Sequence, residues 1–278
     1  MINVTSLRLP GIQDDNWMNL ALGGGKNNTR NLKRLCPIIQ HEYSGYDTII
    51  RQYQKKPNKS RFEKHRDLLK KFYGKAPTDL NKLIVERRNS HEYEQCPFCG
   101  RPCVPSILDH FIPKDKWPEY AIYPNNLVNQ CDTCSTKKGE KYFSEKDKSA
   151  KYIHPIYFDL LSKVEFEYTI HIANPANMKV VDISLDIIIP KYYGVKKTKR
   201  VELHLSSLEV KEYALLHADK TYLRWLRKAE KKKADILSIL ENYIKLETKK
   251  IDNDWDICLY KAMLNNPTIV SYFTRATP

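Results

Sequence analysis

Cys96-Pro97-Phe98-Cys99-Gly100, Ile107-Leu108-Asp109-His110-Phe111-Ile112-Pro113, Asn125-Asn126-Leu127-Val128 and Cys131-Asp132-Thr133-Cys134-Ser135-Thr136-Lys137-Lys138 follow one another within a short stretch of this chain. Two Cys-x-x-Cys knuckles frame it. A hairpin of that spacing aims two sulfurs at one point, and two such knuckles complete a tetrahedral site for structural zinc. Gly100 supplies the permissive backbone on which the first knuckle turns. Cys103 is close enough in sequence to substitute as a ligand but reads better as a spare thiol. Cys36 and Cys258 read as small buried apolar side chains.

Between the knuckles, Ile107-Leu108 leads as a strand into Asp109-His110, and Asn126-Leu127-Val128 opens a second short strand. Asp132 to Lys141 then fits a helix, giving the order β-β-α. A carboxylate beside an imidazole is the pair that metal-assisted phosphodiester hydrolysis needs. The carboxylate holds a hard divalent cation, and neutral imidazole takes a proton from water. An Asp-His pair alone is common, and a lone histidine is more often a structural hydrogen-bonding residue. The weight lies in the order of the whole set.

That order resembles the HNH endonucleases of the ββα-metal family, in the subgroup framed by zinc knuckles. The resemblance covers about Cys96 to Lys141, roughly one sixth of the chain. It implies that Asp109 ligates a catalytic divalent cation, that His110 is the general base, and that Asn126 braces the loop carrying the base. Cys96, Cys99, Cys131 and Cys134 would bind zinc, and Lys137 or Lys138 would contact phosphate. Directly after the last knuckle cysteine the family has His or Asn as a further metal ligand; here Ser135 stands there, a shorter and weaker oxygen ligand. Asp132, about one turn earlier, is the candidate to compensate. The implied cofactors are structural Zn2+ and catalytic Mg2+ or Mn2+, and the implied substrate is nucleic acid, DNA ahead of RNA. Proteins of similar arrangement occur beside ATPases in bacterial anti-phage systems, so an ATPase partner and a defence role belong to the same implication.

Outside that stretch the 278 residues, 41% of them hydrophobic, suffice for one large or two modest folded domains. No run approaches the roughly 18 apolar residues of a membrane helix, and Met1 to Leu20 lacks a basic start followed by an apolar block. The expectation is a cytoplasmic protein with no membrane part, its seven cysteines held as thiols. The net charge of +14 is uneven: residues 51–90 hold 13 Lys/Arg against 4 Asp/Glu, residues 191–250 hold 16 against 8, and residues 91–150 hold 8 against 9. Basic flanks around a neutral, carboxylate-containing centre suit a polyanion held beside a metal site. Solvated lysine-rich faces are the plainer account of such charge. Gly23-Gly24-Gly25-Lys26 is no phosphate loop, because Leu20 and Asn27 stand where that motif needs Gly and Ser or Thr.

Periodicity predicts helices over 28–54, 61–72 and 79–89. It predicts strands over 164–170 and 179–187, joined at Asn174-Pro175-Ala176-Asn177, and a third strand over Arg200 to Leu205. Ser206-x-x-Glu209 reads as a capping box opening a helix towards Ala229, with further helices over 234–248 and 255–264. The fold class is α+β in three parts: a basic helical region 1–90, a zinc-stapled nuclease core 91–150, and a strand hairpin with helices over 151–278. His154 is expected to pack the core onto the strand region, and His41, His65, His91, His171, His204 and His217 show no ligand spacing. Two other readings stand beside the nuclease. One is a noncatalytic zinc-ribbon module that binds nucleic acid, favoured by Ser135 and opposed by Asp109, His110 and Asn126. The other is a scaffold subunit whose basic helices hold an acidic partner.

Overall fold

Leu32, Cys36, Ile39, Tyr43, Tyr46 and Ile50 recur on one stripe of a helix, and that stripe is buried in the core. The computed structural model describes residues 1–9, 16–25, 28–89, 93–231, 234–246 and 253–276. It divides into two units: Asn3–Phe98 with Cys103–Asp159, and Met1–Ile2 with Cys99–Pro102 and Leu160–Pro278. Lys26, His91, the lysines at 232–233 and the end of the helix expected over 234–248 lie outside the described residues.

The first unit runs α1 (Asn16–Gly23), α2 (Thr29–Arg51), α3 (Arg66–Gly74), α4 (Thr78–Asn89), β1 (Ile107–His110), β2 (Leu127–Gln130), α5 (Asp132–Lys138), β3 (Phe143–Ser144) and β4 (Ser149–Ala150). The expected β-β-α order is present. β1 and β2 pair antiparallel from Ile107↔Gln130 to His110↔Leu127. Every residue of β2 is buried, so the strand lacks alternation because both of its faces are covered. α4 and α5 both pack on β1. The α2 stripe meets an aromatic cluster, with the Tyr46 ring 5.0 Å from both Tyr120 and Tyr123 and the Tyr43 ring 4.3 Å from Tyr123. Of the helix expected over 61–72, residues 66–72 lie in α3, and a 3-10 turn, Glu63–His65, leads into it.

In the second unit β5 (Glu165–His171) and β6 (Asp182–Ile188) form a hairpin in full register, and β5 alternates exposed and buried residues along its length. Its buried face packs on α7 (Val210–Glu230) and α9 (Trp255–Leu264), and α6 (Gly194–Ser207), α8 (Ile236–Leu246) and α10 (Pro267–Ala276) complete the unit. The third strand expected at Arg200 to Leu205 is wrong: that segment lies inside α6. Val201, His204, Leu205 and Leu208 are all buried at helical spacing. A buried histidine in that stripe disguised a 3.6 period as alternation. Ser206 likewise caps nothing; it sits in the last turn of α6, and α7 starts after Glu209, which adopts left-handed backbone at φ +52°. α10 was not anticipated, although Asn266 Oδ1 accepts from the N–H groups of Thr268 and Ile269, an N-cap followed by proline. No described helix is long and apolar enough to cross a membrane.

Candidate metal centre and its Asp-His neighbour

Cys96, Cys99, Cys131 and Cys134 are buried, and their sulfurs all lie within 4.8 Å of one another. The Cys96 and Cys134 sulfurs are 4.0 Å apart, close to the roughly 3.8 Å that a tetrahedron with Zn–S bonds of about 2.3 Å requires. The Cys131 backbone N–H donates to Cys96 Sγ and the Cys134 N–H to Cys131 Sγ, each at 3.4 Å, which fixes the orientation of both sulfurs. Cys131 also caps the N-terminus of α5, where the helix dipole favours negative charge. The donor set fits zinc. Cys103, half-buried, lies outside the group. Gly100 turns the first knuckle at φ +79°, and a Cβ there would come 2.6 Å from the Asn253 carbonyl oxygen, so no other residue serves.

His110 ends β1 and is 3% exposed. Its Nε2 lies 2.9 Å from the Ala121 carbonyl. A carbonyl only accepts, so in the neutral ring Nε2 carries the proton and Nδ1 the lone pair. Burial, then the charge of Lys114, holds this imidazole well below the usual histidine range. The Tyr73 ring stands edge-on 4.4 Å away, anchored by its hydroxyl to the Leu108 carbonyl at 2.9 Å. Tyr73, Lys114 and Lys70, whose charge also bears on the imidazole, carry no sequence motif; Tyr73 and Lys70 arrive from α3, far along the chain.

Asn126 is fully buried. Its Oδ1 accepts from the Ile112 N–H at 2.7 Å and from the Tyr46 hydroxyl at 2.8 Å. Its Nδ2 donates to the carbonyls of Ile112 at 3.0 Å and Tyr120 at 3.1 Å. Its own carbonyl accepts from the Phe111 N–H at 2.8 Å. The side chain thus clamps the loop that leaves His110. His154 lies against the same loop, its ring 4.1 Å from Phe111. Nε2 sits 3.0 Å from the Asn125 carbonyl and Nδ1 accepts from the Ile156 N–H at 3.3 Å. With both nitrogens engaged, His154 works as a packing residue within the first unit.

Of Lys137 and Lys138, either of which was expected to contact phosphate, Lys138 is turned inward. The residue is 1% exposed, and its Nζ donates to Asp109 Oδ2 at 2.7 Å and to the His110 carbonyl at 2.6 Å. An ammonium so deep is tolerable only with a carboxylate partner. Lys137, on the outer side of the same turn, is half-buried. Ser135 is half-buried one turn before Lys138, and Asp132 is exposed in the first turn of α5. Among the described residues no third His, Cys, Asp or Glu ligand gathers at Asp109, and one of its carboxylate oxygens is already engaged. These residues do not close a divalent catalytic site by themselves.

No family model matches this chain, and no solved structure matches it. Among curated proteins it is similar to protein ea31 of Escherichia phage lambda, 24% identical over 187 residues. The match covers 62% of this chain, which in turn spans 62% of the relative's length.

Proposed function

We propose that this protein is a nucleic-acid phosphodiesterase of the HNH type, with His110 as general base. The observation that supports it most is the double fixing of that histidine. Ala121 sets its tautomer and Asn126 clamps the loop behind it, beside a carboxylate on the same strand. Nδ1 of His110 would take a proton from water as the water oxygen attacks phosphorus and the bond to the departing sugar oxygen breaks. Magnesium or manganese at Asp109 and an ATPase partner in phage defence enter this proposal from the resemblance alone.

The test is to incubate purified protein with plasmid, single-stranded DNA and tRNA, each with magnesium, manganese or chelator, beside His110→Ala. The variant should lose about 10²-fold or more of the cleavage rate while keeping its fold and zinc content. Cleavage within about threefold of the parent would remove His110 from the role of base. The noncatalytic reading draws on two observations, the ammonium seated on Asp109 and the 3% exposure of His110. It requires that no substrate be cut under any of these conditions while salt-sensitive binding remains.

A further inference from the structure

Lys56, Lys59, Arg66, Lys116, Lys141 and Lys151 line one groove of the first unit, around a cavity of about 510 Å³. Three carboxylates share the lining, Glu63, Glu140 and Glu145. Two of them are already matched, Glu145 by Lys56 and Glu63 by Arg66. The rim therefore keeps a cationic surplus, and Lys59, Lys116 and Lys141 on it are exposed.

Both main walls grow directly from the Asp109–His110–Lys138 cluster. Lys116 ends the loop that leaves His110 and is clamped by Asn126. Lys141 follows Lys138, to whose carbonyl its N–H donates at 3.0 Å. Trp117 and Tyr142 meet edge to face at 6.0 Å as a buried floor, and Trp117 Nε1 donates to the Asn58 carbonyl at 2.8 Å, fixing the third wall. Phe143 stands half-buried among the lining residues. Among the described residues, none of the exposed large apolar side chains lies on this rim. An acidic protein partner would need such anchors, whereas a sugar–phosphate strand needs only cations along its path and an aromatic surface beside them.

We infer that this groove holds one strand of nucleic acid by its phosphates and leads it to the Asp109–His110 end of the unit. The direction of the path rests on the nuclease reading; the binding does not, and it is measured in the His110→Ala protein so that nothing is cut. The probe is a labelled single strand of about 20 nucleotides, titrated at several salt concentrations. Lys59→Glu, Lys116→Glu and Lys141→Glu together should weaken binding at least about tenfold and flatten the plot of log affinity against log salt by about 2, since each lost phosphate contact contributes roughly 0.7. Lys196→Glu, Lys197→Glu and Lys199→Glu, on the exposed face of α6, make the same change in net charge and should leave affinity within about threefold.

Should the reversed charges disturb the fold, judged by melting temperature and zinc content, the same three lysines changed to Gln carry the test with the same slope change. Equal weakening by both triples, no weakening by the groove triple, no binding at all, or displacement of the strand by polyglutamate at equal charge would each overturn the assignment. Parent protein that cuts nothing yet binds through this rim would sink the nuclease reading and leave the groove standing. Cleavage that ignores the rim would do the reverse.

Discussion

The two ends of the β1-β2-α5 unit draw on the same segments and reach opposite electrostatic solutions. At one end four sulfurs converge and backbone N–H groups point at two of them, a donor set that fits a soft cation. At the other a single carboxylate meets a buried ammonium from α5, so its charge is already answered from within the chain. One strand pair and one helix therefore border both a cysteine cluster that fits a metal and an internal ion pair, and proximity to a metal motif does not make a carboxylate a metal ligand.

The sharpest way to break the comparison is at the sulfurs. Cys99→Ser or Cys134→Ser should abolish zinc binding and with it the cooperative fold, because structural zinc contributes about 10 kcal/mol or more to folding. The parent should carry one zinc per chain by elemental analysis. Freshly purified protein without zinc ends that account.

At the other end, Asp109→Ala should cost about 3–5 kcal/mol in urea unfolding, since it strands the Lys138 ammonium in the interior. Lys138→Met should cost less, because the Asp109 side chain is 23% exposed and water can reach it. The double variant should recover most of the loss. A cost near the roughly 1 kcal/mol of a surface pair would mean that Lys138 simply swings out to solvent.

Glu119 supplies the control, a buried carboxyl held by a hydroxyl instead of an ammonium. Ser60 donates to it at 2.6 Å, and burial pushes its pKa up to about 7. The folded protein then keeps a proton that the unfolded chain releases near pH 4.5. Stability should fall as pH rises from about 4.5 to about 7, by roughly 3 kcal/mol, and level off above that. Glu119→Gln should remove the slope and be the more stable protein above pH 7. Melting curves across that range that run parallel for the two proteins would contradict it.

The smallest expected effect belongs to Ser135→Asn. An added amide ligand on α5 should lower the magnesium or manganese concentration giving half-maximal cleavage by less than about tenfold. An unchanged midpoint would place any catalytic cation elsewhere, Asp132 being the first position to examine.

What could be read from the sequence follows the range of the interaction. The knuckles and the β-β-α order are encoded within some forty residues and needed only local spacing, whereas the clamp position of Asn126 came from the family resemblance. The fate of Lys138 was not visible, because a lysine one turn past a cysteine looks the same whether it faces solvent or a carboxylate on a neighbouring strand. Tyr73 and Lys70 were hidden for the same reason. In the second unit, His204 broke the apolar pattern of α6 and a helix passed for a strand, since hydrophobicity alone cannot see a polar side chain that is buried. Groove cations such as Lys59 and Lys141 were part of a diffuse charge count until the fold set them on one rim.

The bond between Tyr46 and Asn126 joins residues 80 positions apart. On a ribosome adding about 5–20 residues per second, α2 is complete roughly 4 to 15 seconds before the side chain its Tyr46 hydroxyl will meet has been made. Through that interval the α2 stripe lacks the partners that Tyr120, Tyr123 and Asn126 later bring to Tyr46. The residue that steadies the candidate base thus also closes a contact with a helix that left the ribosome well before it.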